Sequence, residues 1–311
     1  MSSRMKFFLT IIFFSIGINA IAQVPGTQGP IICFAGNSLD SLVFIPSSEH
    51  VFGQVLGDII NKEINELPIG ERISAIGKLF LEKPYIDKSL ETNLNESETV
   101  CNLSGFDCVT FFETSWALAT TLKTSYNHSY SDYINVLTNH RYRDGIRNGF
   151  QSRLHYTSDY FYDNAKRGNL QEMTKEIGGS DARLEKKPIN FMTTHPNLYK
   201  QLADDPAMVA KMDSIEKMIN ARGGFSYIPK EDVEDNEKGI HTGDLIGITT
   251  SIAGIDCSHT GIAIKQDGRI HFMHASSAMH KVIISPMPLA DYLKGNAKQT
   301  GIMVYRPIEA K

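Results

Sequence analysis

The first clear pattern in the chain is an apolar stripe at helical spacing between residues 51 and 67. Apolar side chains recur there with the period of an amphipathic helix, from Val51 to the Leu67-Pro68 pair. A second helix is predicted from Glu71 to about Leu81, shortly before Pro84. The polar stretch 87–100 that follows predicts a loop.

A third helical pattern begins at Cys108. Apolar or small residues occupy positions 108, 111, 112, 115, 118, 119 and 122, which predicts a helix with one buried face. Asp107, or Ser104 before it, is a suitable capping residue. The pattern therefore places a cysteine at the very start of a helix.

The C-terminal part of the chain changes to the pattern of short strands. Its apolar, β-branched segments are separated by turn sequences such as Gln266-Asp267-Gly268. The segments read GDLIGITT, HTGIAIK, RIHFMHAS, KVIIS and GIMVYRP. We expect an antiparallel meander. Helices followed by such a sheet favour the α+β class.

Between these two parts lies a polar, aromatic-rich block, at about 125–235. It has few long apolar runs, apart from a helical pattern at 200–221. We interpret it as a mostly helical insertion whose helices and loops surround the core.

The N-terminal segment has the three parts of a secretory signal peptide. Arg4 and Lys6 precede sixteen uncharged residues, which end in Ala20-Ile21-Ala22. A membrane anchor is the alternative, but the apolar run is short for a span. We predict a signal peptide at 1–22 and a single catalytic domain at 23–311. The protein is then exported, periplasmic or secreted, and free of the membrane after cleavage.

Composition and charge exclude several functions. The chain of 311 residues has a formal net charge of −4, and it has no basic stripe of the kind that binds nucleic acid. Its four cysteines, Cys33, Cys101, Cys108 and Cys257, do not resemble a dense disulfide framework. If one of them is catalytic, at most one disulfide can form, and the sequence does not assign it.

Cys108 is the first candidate for chemistry. A helix N-terminus favours the thiolate and offers N–H groups to an oxyanion. A small buried hydrophobe is the alternative role for such a cysteine.

Two predicted strands supply histidines that could serve this thiol. His259 opens one strand, and His271 and His274 lie on the next. Adjacent antiparallel strands can place one histidine of each on the same face. His271 and His274 are three residues apart and face opposite sides, so only one can orient His259 as the base. We expect this to be His274.

A zinc site is the rival interpretation of the same segment. Cys257, His259, His271 and His274 are all zinc-binding types. The alternation of strand residues prevents both later histidines from joining the other two, and no ligand motif is present. We expect neither a metal nor an organic cofactor.

The order of these motifs resembles a known family. FDCV at a helix start, then GDLI, SHTGIAI and HFMHAS, resemble the NlpC-type papain-like cysteine amidases that cut bacterial peptidoglycan. DCVTFFE and YRDG…SRLHY…DN are similar to its N-acetylmuramoyl-L-alanine amidase-like branch, the domain-of-unknown-function family 1460. The resemblance covers roughly 50–307.

The resemblance implies a papain-like core and assigns roles residue by residue. It makes Cys108 the nucleophile, His259 the base and His274 its orienting residue. Asp107 and Ser258 correspond to residues that line the substrate site, and Asp244 to a structural turn. The segment between cysteine and histidine is longer than in compact members. We expect it to wall the cleft, with Arg153, His155, Tyr156 and Asp159 as lining residues; a solvated polar insertion is the alternative.

The resemblance also implies the substrate. A peptidoglycan fragment would be cut between N-acetylmuramic acid and L-alanine. The alternatives are a γ-D-glutamyl–diamino-acid endopeptidase and a catalytically silent cell-wall binding protein. The sequence gives no indication of the oligomeric state.

Overall fold

A computed structural model describes residues 31–34, 42–45, 47–93 and 95–310. The predicted signal peptide at 1–22 lies outside these residues. The described residues fall into two units, divided after Ser47. In the first unit, Ile31–Phe34 (β1) and Leu42–Ile45 (β2) form an antiparallel pair.

The second unit, from Ser48 onward, contains the remaining helices and strands. Its described α-helices are α1 (Ser48–Asn61), α2 (Ile69–Leu79), α3 (Cys108–Thr124), α4 (Tyr130–Arg141), α5 (Thr157–Lys166), α6 (Thr174–Gly178), α7 (Phe191–Thr194), α8 (Pro206–Asn220), α9 (Val233–Asn236) and α10 (Leu289–Lys294). Its described strands are β3 (Leu170–Glu172), β4 (Arg183–Glu185), β5 (Phe225–Pro229), β6 (Leu245–Thr250), β7 (Cys257–Gln266), β8 (Arg269–Ser276), β9 (Lys281–Ile284) and β10 (Gln299–Pro307).

These strands form one antiparallel sheet in the order β4-β5-β10-β6-β7-β8-β9, with β3 paired to β10. The five strands predicted at the C-terminus are confirmed. The meander is correct only for β6 to β9, because β10 returns to the other side of β6. The mixture of helices and antiparallel sheet confirms the α+β class.

The two faces of the sheet bury different residues, as strand alternation requires. On β7, Ile262 and Ile264 pack with α1 to α4, whereas Ala263 packs on the opposite face with Leu289 of α10. On the face of Ile262 and Ile264, α3 contacts β7 and β8 of the sheet and also α2 and α4. The prediction of a single buried face on α3 is therefore wrong, since even Glu113 is buried.

The interpretation of 125–235 as surrounding material also needs correction. Strands β3, β4 and β5 of this block join the main sheet. Met212 of α8 and Phe150 belong to a separate hydrophobic cluster within the block. The block is therefore an integral part of the fold. No helix of the described chain is both long and apolar enough to cross a bilayer.

The GDLI motif has a structural role. Gly243 has a φ of 89°, and a Cβ there would overlap the backbone of Gly70 at the start of α2. Next to it, the buried carboxylate of Asp244 accepts two hydrogen bonds of 2.8 Å from the Arg306 guanidinium. The motif thus ties β6 to α2 and β10.

Candidate active site

Cys108 is the first residue of α3, and Asp107 caps this helix. The Asp107 carboxylate accepts hydrogen bonds from the backbone N–H groups of Val109 (3.0 Å) and Thr110 (2.8 Å). The Thr110 hydroxyl accepts from the Asp107 N–H, which completes a capping box, and Ser89 donates to the other carboxylate oxygen at 2.7 Å. In the described structure, the Cys108 N–H has no partner outside its own residue.

The resting thiol is protonated, contrary to the expectation for a helix N-terminus. Burial, together with the neighbouring Asp107 carboxylate, raises the pKa of Cys108 to about 11. Thr260, which lies near the thiol, acts in the opposite direction, but its effect is smaller. The helix position alone therefore does not produce a thiolate here, because desolvation and a nearby negative charge both favour the neutral form.

His259 of β7 and His274 of β8 form a pair. Nε2 of His259 lies 2.6 Å from Nδ1 of His274, and the two rings are nearly perpendicular. The Nδ1 atom of His271 instead donates to the Ser285 carbonyl at 2.9 Å. The structure thus joins His274, and not His271, to His259.

Aromatic residues surround the histidine pair. Phe272 stacks on His274 and contacts the edge of His259, and Tyr292 of α10 packs against His274. Burial lowers the pKa of His259 to about 4. Burial, together with His259, lowers that of His274 to about 3. Both imidazoles are therefore neutral near pH 7.

Two adjacent residues of β7 serve the two parts of the site: His259 belongs to the histidine pair, and Thr260 lies near the Cys108 thiol. The rings of His259 and His274 pack on the α10 side of the sheet, whereas Thr260 is the β7 residue that interacts with the Cys108 thiol. A bulge at Ser258 interrupts the pairing of β7 with β6 just before His259. Within the described residues, no hydrogen bond joins the thiol to either imidazole.

A pocket of about 170 Å³ lies beside the start of α3. Asp107 and Val109 form one wall, and Arg153 and His155 from the long middle block form another. The buried Arg153 guanidinium is held by Glu91 at 2.7 Å and Glu96 at 2.9 Å. Arg153 and His155, two of the four residues predicted to line the cleft, line this pocket, whereas Cys108, His259 and His274 do not.

The other two expected lining residues lie elsewhere. Tyr156 is buried, and its hydroxyl donates to Glu216 at 2.7 Å. Asp159 is 1% exposed and is paired with Arg143 and Arg222. Neither side chain lines this pocket, because each is used to connect helices of the middle block. Ser258 is exposed at the bulge of β7.

Three residues near Cys108 were missed by the sequence analysis. Ser89 holds the capping carboxylate, Thr260 interacts with the thiol, and Tyr85 lies close enough for the thiol's charge to affect its phenol. Burial, with smaller contributions from Cys108, Asp107 and Asp87, raises the pKa of Tyr85 to about 12. For Thr260, strand alternation was the one signal available in the sequence, because neighbouring residues of a strand face opposite sides and Thr260 follows His259.

The described residues contain no group of three or more His, Cys, Asp or Glu side chains placed to hold a metal ion. Cys101, Cys108 and Cys257 are free thiols in the described structure, and the side chain of Cys33 lies outside it.

Solved structures of three proteins resemble this chain. An N-acetylmuramoyl-L-alanine amidase from Bacteroides uniformis ATCC 8492 has 37% identity and a TM-score of 0.70, over 78% of this chain and 99% of that chain. A Bacteroides fragilis protein, provisionally named a xylanase, has 36% identity and a TM-score of 0.67, over 74% and 98%. A Legionella pneumophila str. Philadelphia 1 protein of the DUF1460 family has 24% identity and a TM-score of 0.61, over 85% and 98%, and supports the fold alone.

No curated protein matches the sequence. The family described as AmiA-like, N-acetylmuramoyl-L-alanine amidase-like, matches residues 75–302, a range that includes Cys108, His259 and His274. Because this match spans most of the chain, the chain belongs to the N-acetylmuramoyl-L-alanine amidase-like family.

Proposed function

We propose that this protein is a cysteine-dependent amidase of papain-like type that hydrolyses the amide bond between N-acetylmuramic acid and L-alanine in peptidoglycan fragments. Family membership supports the amidase chemistry and the wall substrate. The observation that carries the mechanism is the short contact between His259 and His274, next along β7 to Thr260, the residue that lies near the Cys108 thiol.

In this proposal, the contact between the two imidazoles determines which nitrogen of His259 acts as the base. His259 donates its Nε2–H to Nδ1 of His274, across the 2.6 Å contact. This leaves the lone pair on Nδ1 of His259 for the thiol proton. His274 fixes the tautomer and the ring orientation, as the third member of a catalytic triad does.

Proton transfer accompanies attack in this site. A thiol with a pKa of about 11 and an imidazole with a pKa of about 4 remain neutral at rest, so they do not form an ion pair in advance. His259 acts as a general base when substrate brings the thiol within reach, a contact that is often long before substrate binds. The sulfur then attacks the muramoyl carbonyl carbon.

The oxyanion formed by this attack needs hydrogen-bond donors. The N–H groups of Val109 and Thr110 already donate to the Asp107 carboxylate. Of the N–H groups at the start of the helix, the Cys108 N–H is therefore the proposed donor to the oxyanion. The Tyr85 phenol is a candidate second donor, because its pKa of about 12 keeps it protonated at neutral pH.

The remaining steps balance with one water molecule. The imidazolium of His259 gives its proton to the departing L-alanine nitrogen, and the muramoyl group stays on Cys108 as a thioester. Water then loses a proton to His259 and attacks the thioester, the C–S bond breaks, and the imidazolium returns the proton to the departing Cys108 thiolate. The products are the free muramic acid carboxylate, the free peptide and the resting thiol.

The pocket beside α3 supports a substrate-binding role for Asp107, Arg153 and His155. Ser258 is proposed as a further substrate-binding residue, because it is exposed at the bulge before His259. We do not propose xylanase activity for this chain, although the B. fragilis protein is provisionally named a xylanase. Glycoside hydrolysis uses a pair of free carboxyl groups, whereas Glu113 in this pocket is paired with Arg141 at 2.9 Å.

Export to the periplasm or beyond the cell is part of the same proposal. A peptidoglycan substrate lies outside the cytoplasm, and the predicted signal peptide at 1–22 would bring the catalytic domain at 23–311 to it. The cysteine mechanism needs neither a metal nor an organic cofactor.

Mass spectrometry of defined muropeptides tests the proposal. We expect wild type to release free sugar and an intact stem peptide, and Cys108→Ala to release neither while remaining folded. Cys257→Ala is the matched control and should retain activity. Sugar that keeps L-Ala–D-Glu would indicate the γ-D-glutamyl endopeptidase instead. Binding of fragments with no product would indicate a silent binding protein, and turnover by Cys108→Ala would remove the thiol from the mechanism.

A further inference from the structure

A second cavity in the described structure does not contain the candidate catalytic residues. It has a volume of about 980 Å³ and lies among α5, α8 and the strands β3, β4, β5 and β10. Cys108, His259 and His274 do not line it. Its size is at the upper end of the range for small-molecule sites.

The inner wall of this cavity is apolar and aromatic. Ile189, Ile219 and Tyr305 are all less than a tenth exposed; Phe225 and the exposed Tyr162 also line the cavity. The Tyr305 ring stacks on Phe161 at 4.6 Å, which fixes its orientation. In the described chain its hydroxyl makes no hydrogen bond, and burial keeps it protonated by raising its pKa. It is therefore a preplaced donor for an occupant.

The outer wall carries an excess of positive charge in a chain whose net charge is negative. Its cationic residues are Lys166, Lys175, Lys186, Lys187 and Arg222, and Glu172 is its one acidic residue. This concentration of one sign of charge around a concave surface attracts small anions.

Only some of these cationic side chains have ion-pair or hydrogen-bond partners among the described residues. Arg222 pairs with Asp159 at 2.7 Å and covers the Tyr162 ring, and the Lys187 ammonium donates to backbone carbonyls. Lys175 and Lys186 are exposed and have no ion-pair partner among the described residues. Their ammonium groups remain available to an acidic group at the mouth of the cavity.

We infer that this cavity binds a small amphipathic anion, with its apolar body against Ile219 and Tyr305 and its acidic group between Lys175 and Lys186. The site is separate from the proposed catalytic function and does not depend on it. An alkyl carboxylate and the carboxylate of a stem peptide share this chemistry, and the two sources are distinguished by competition.

The test is a fluorescence titration of the full chain with 8-anilinonaphthalene-1-sulfonate, an aromatic anion. We expect saturable binding that decanoate displaces, that decan-1-ol does not, and that weakens with added salt. Displacement by free stem tetrapeptide would identify the wall peptide as the source, and displacement by decanoate alone would identify an alkyl carboxylate.

Two variants locate the binding. Lys175→Glu with Lys186→Glu should weaken binding by about tenfold or more. Lys62→Glu with Lys211→Glu, which makes the same change of charge at exposed positions outside the cavity, should leave it unchanged. Tyr305→Phe keeps the ring and should weaken binding about threefold to tenfold. Equal binding by wild type and both lysine pairs, or no saturable binding by wild type, would overturn the inference; hydrolysis of muropeptides by the same samples tests the catalytic proposal separately.

Discussion

At the scale of single residues, burial has opposite effects on the thiol and on the imidazoles of the candidate site. Burial disfavours the charged form of both groups. It therefore raises the pKa of Cys108 to about 11 and lowers the pKa of His259 to about 4. The site at rest holds a neutral nucleophile and a neutral base. The proposed reaction therefore depends on proton transfer during attack.

The two histidines should differ in their importance. We expect His259→Ala to reduce kcat/KM by about 10³-fold or more, because it removes the proposed base. His274→Ala should reduce it less, because the ring of His259 also contacts Phe272. Steady-state kinetics of both variants on one muropeptide measure the ranking. The reverse order would mean that the two roles are exchanged.

The pH dependence of turnover follows from the same two groups. Below pH 4, His259 is protonated and cannot accept the thiol proton, so kcat/KM should fall to half near pH 4 and remain level from pH 6 to 9. Rates measured in constant-ionic-strength buffers from pH 3 to 10 test this. A descending limb between pH 7 and 9 would instead show that a thiolate–imidazolium pair is the active form.

At the scale of elements, the start of α3 has two functions that work against each other. The Asp107 carboxylate satisfies two N–H groups of the first turn and stabilises the helix. Its negative charge also contributes to the raised pKa of Cys108. The residue that positions the nucleophile therefore also makes it harder to ionise.

Two substitutions separate these functions. Asp107→Asn keeps a capping oxygen and removes the charge, so the thiol pKa should fall and iodoacetamide should alkylate Cys108 faster at pH 8. Asp107→Ala removes the cap as well and should lower the free energy of unfolding by about 1 kcal/mol. Denaturant unfolding and alkylation of wild type and both variants, with Cys108→Ala as the blank, measure both effects. An unchanged alkylation rate in Asp107→Asn would contradict the electrostatic argument.

The elements differed in how well their sequence patterns predicted them. β6 to β10 contain apolar runs bounded by turns, and all five were predicted. α2 was predicted two residues late at each end, since it runs from Ile69 to Leu79. β3 and β4 have only three residues each, which is too short for a period to be detected, so their pairing could not be predicted.

At the scale of the whole molecule, several histidines are buried in the neutral form. His140 is 2% exposed and lies flat against Trp116 at 3.6 Å, and burial lowers its pKa to about 3. His155, His259 and His274 are also shifted downward. The unfolded chain, in which histidine titrates near 6.5, binds more protons than the folded chain in this range. These residues therefore make the protein less stable as pH falls below 6.5.

His140→Phe isolates one of these contributions, because it keeps a ring against Trp116 and cannot titrate. We expect the stability loss of this variant between pH 7 and pH 5 to be about 2 kcal/mol smaller than that of wild type. Denaturant unfolding at the two pH values measures it, with the exposed His195→Gln as the control. The raised pKa values of Glu113 and Asp256 act in the opposite direction, but they are common to all three proteins. Equal losses in His140→Phe and wild type would contradict the assignment.

The sequence by itself determined the helix that begins at Cys108, the C-terminal strands, the separation of His271 from His274 and the resemblance to the amidase-like family. These features depend on local periods and on motifs of a few residues, which a single chain displays directly. The roles assigned to Cys108, His259 and His274 remain proposals until the variants are measured.

Only the tertiary structure decided the burial of α3 on all sides, the use of the 125–235 block in the sheet, and the positions of Tyr156 and Asp159. Each depends on partners distant in the sequence, such as Glu216 for Tyr156 and Arg222 for Asp159. The protonation state of the Cys108 thiol was likewise decided only by the tertiary structure. A helix start can be recognised from sequence, but desolvation depends on what the fold packs around it.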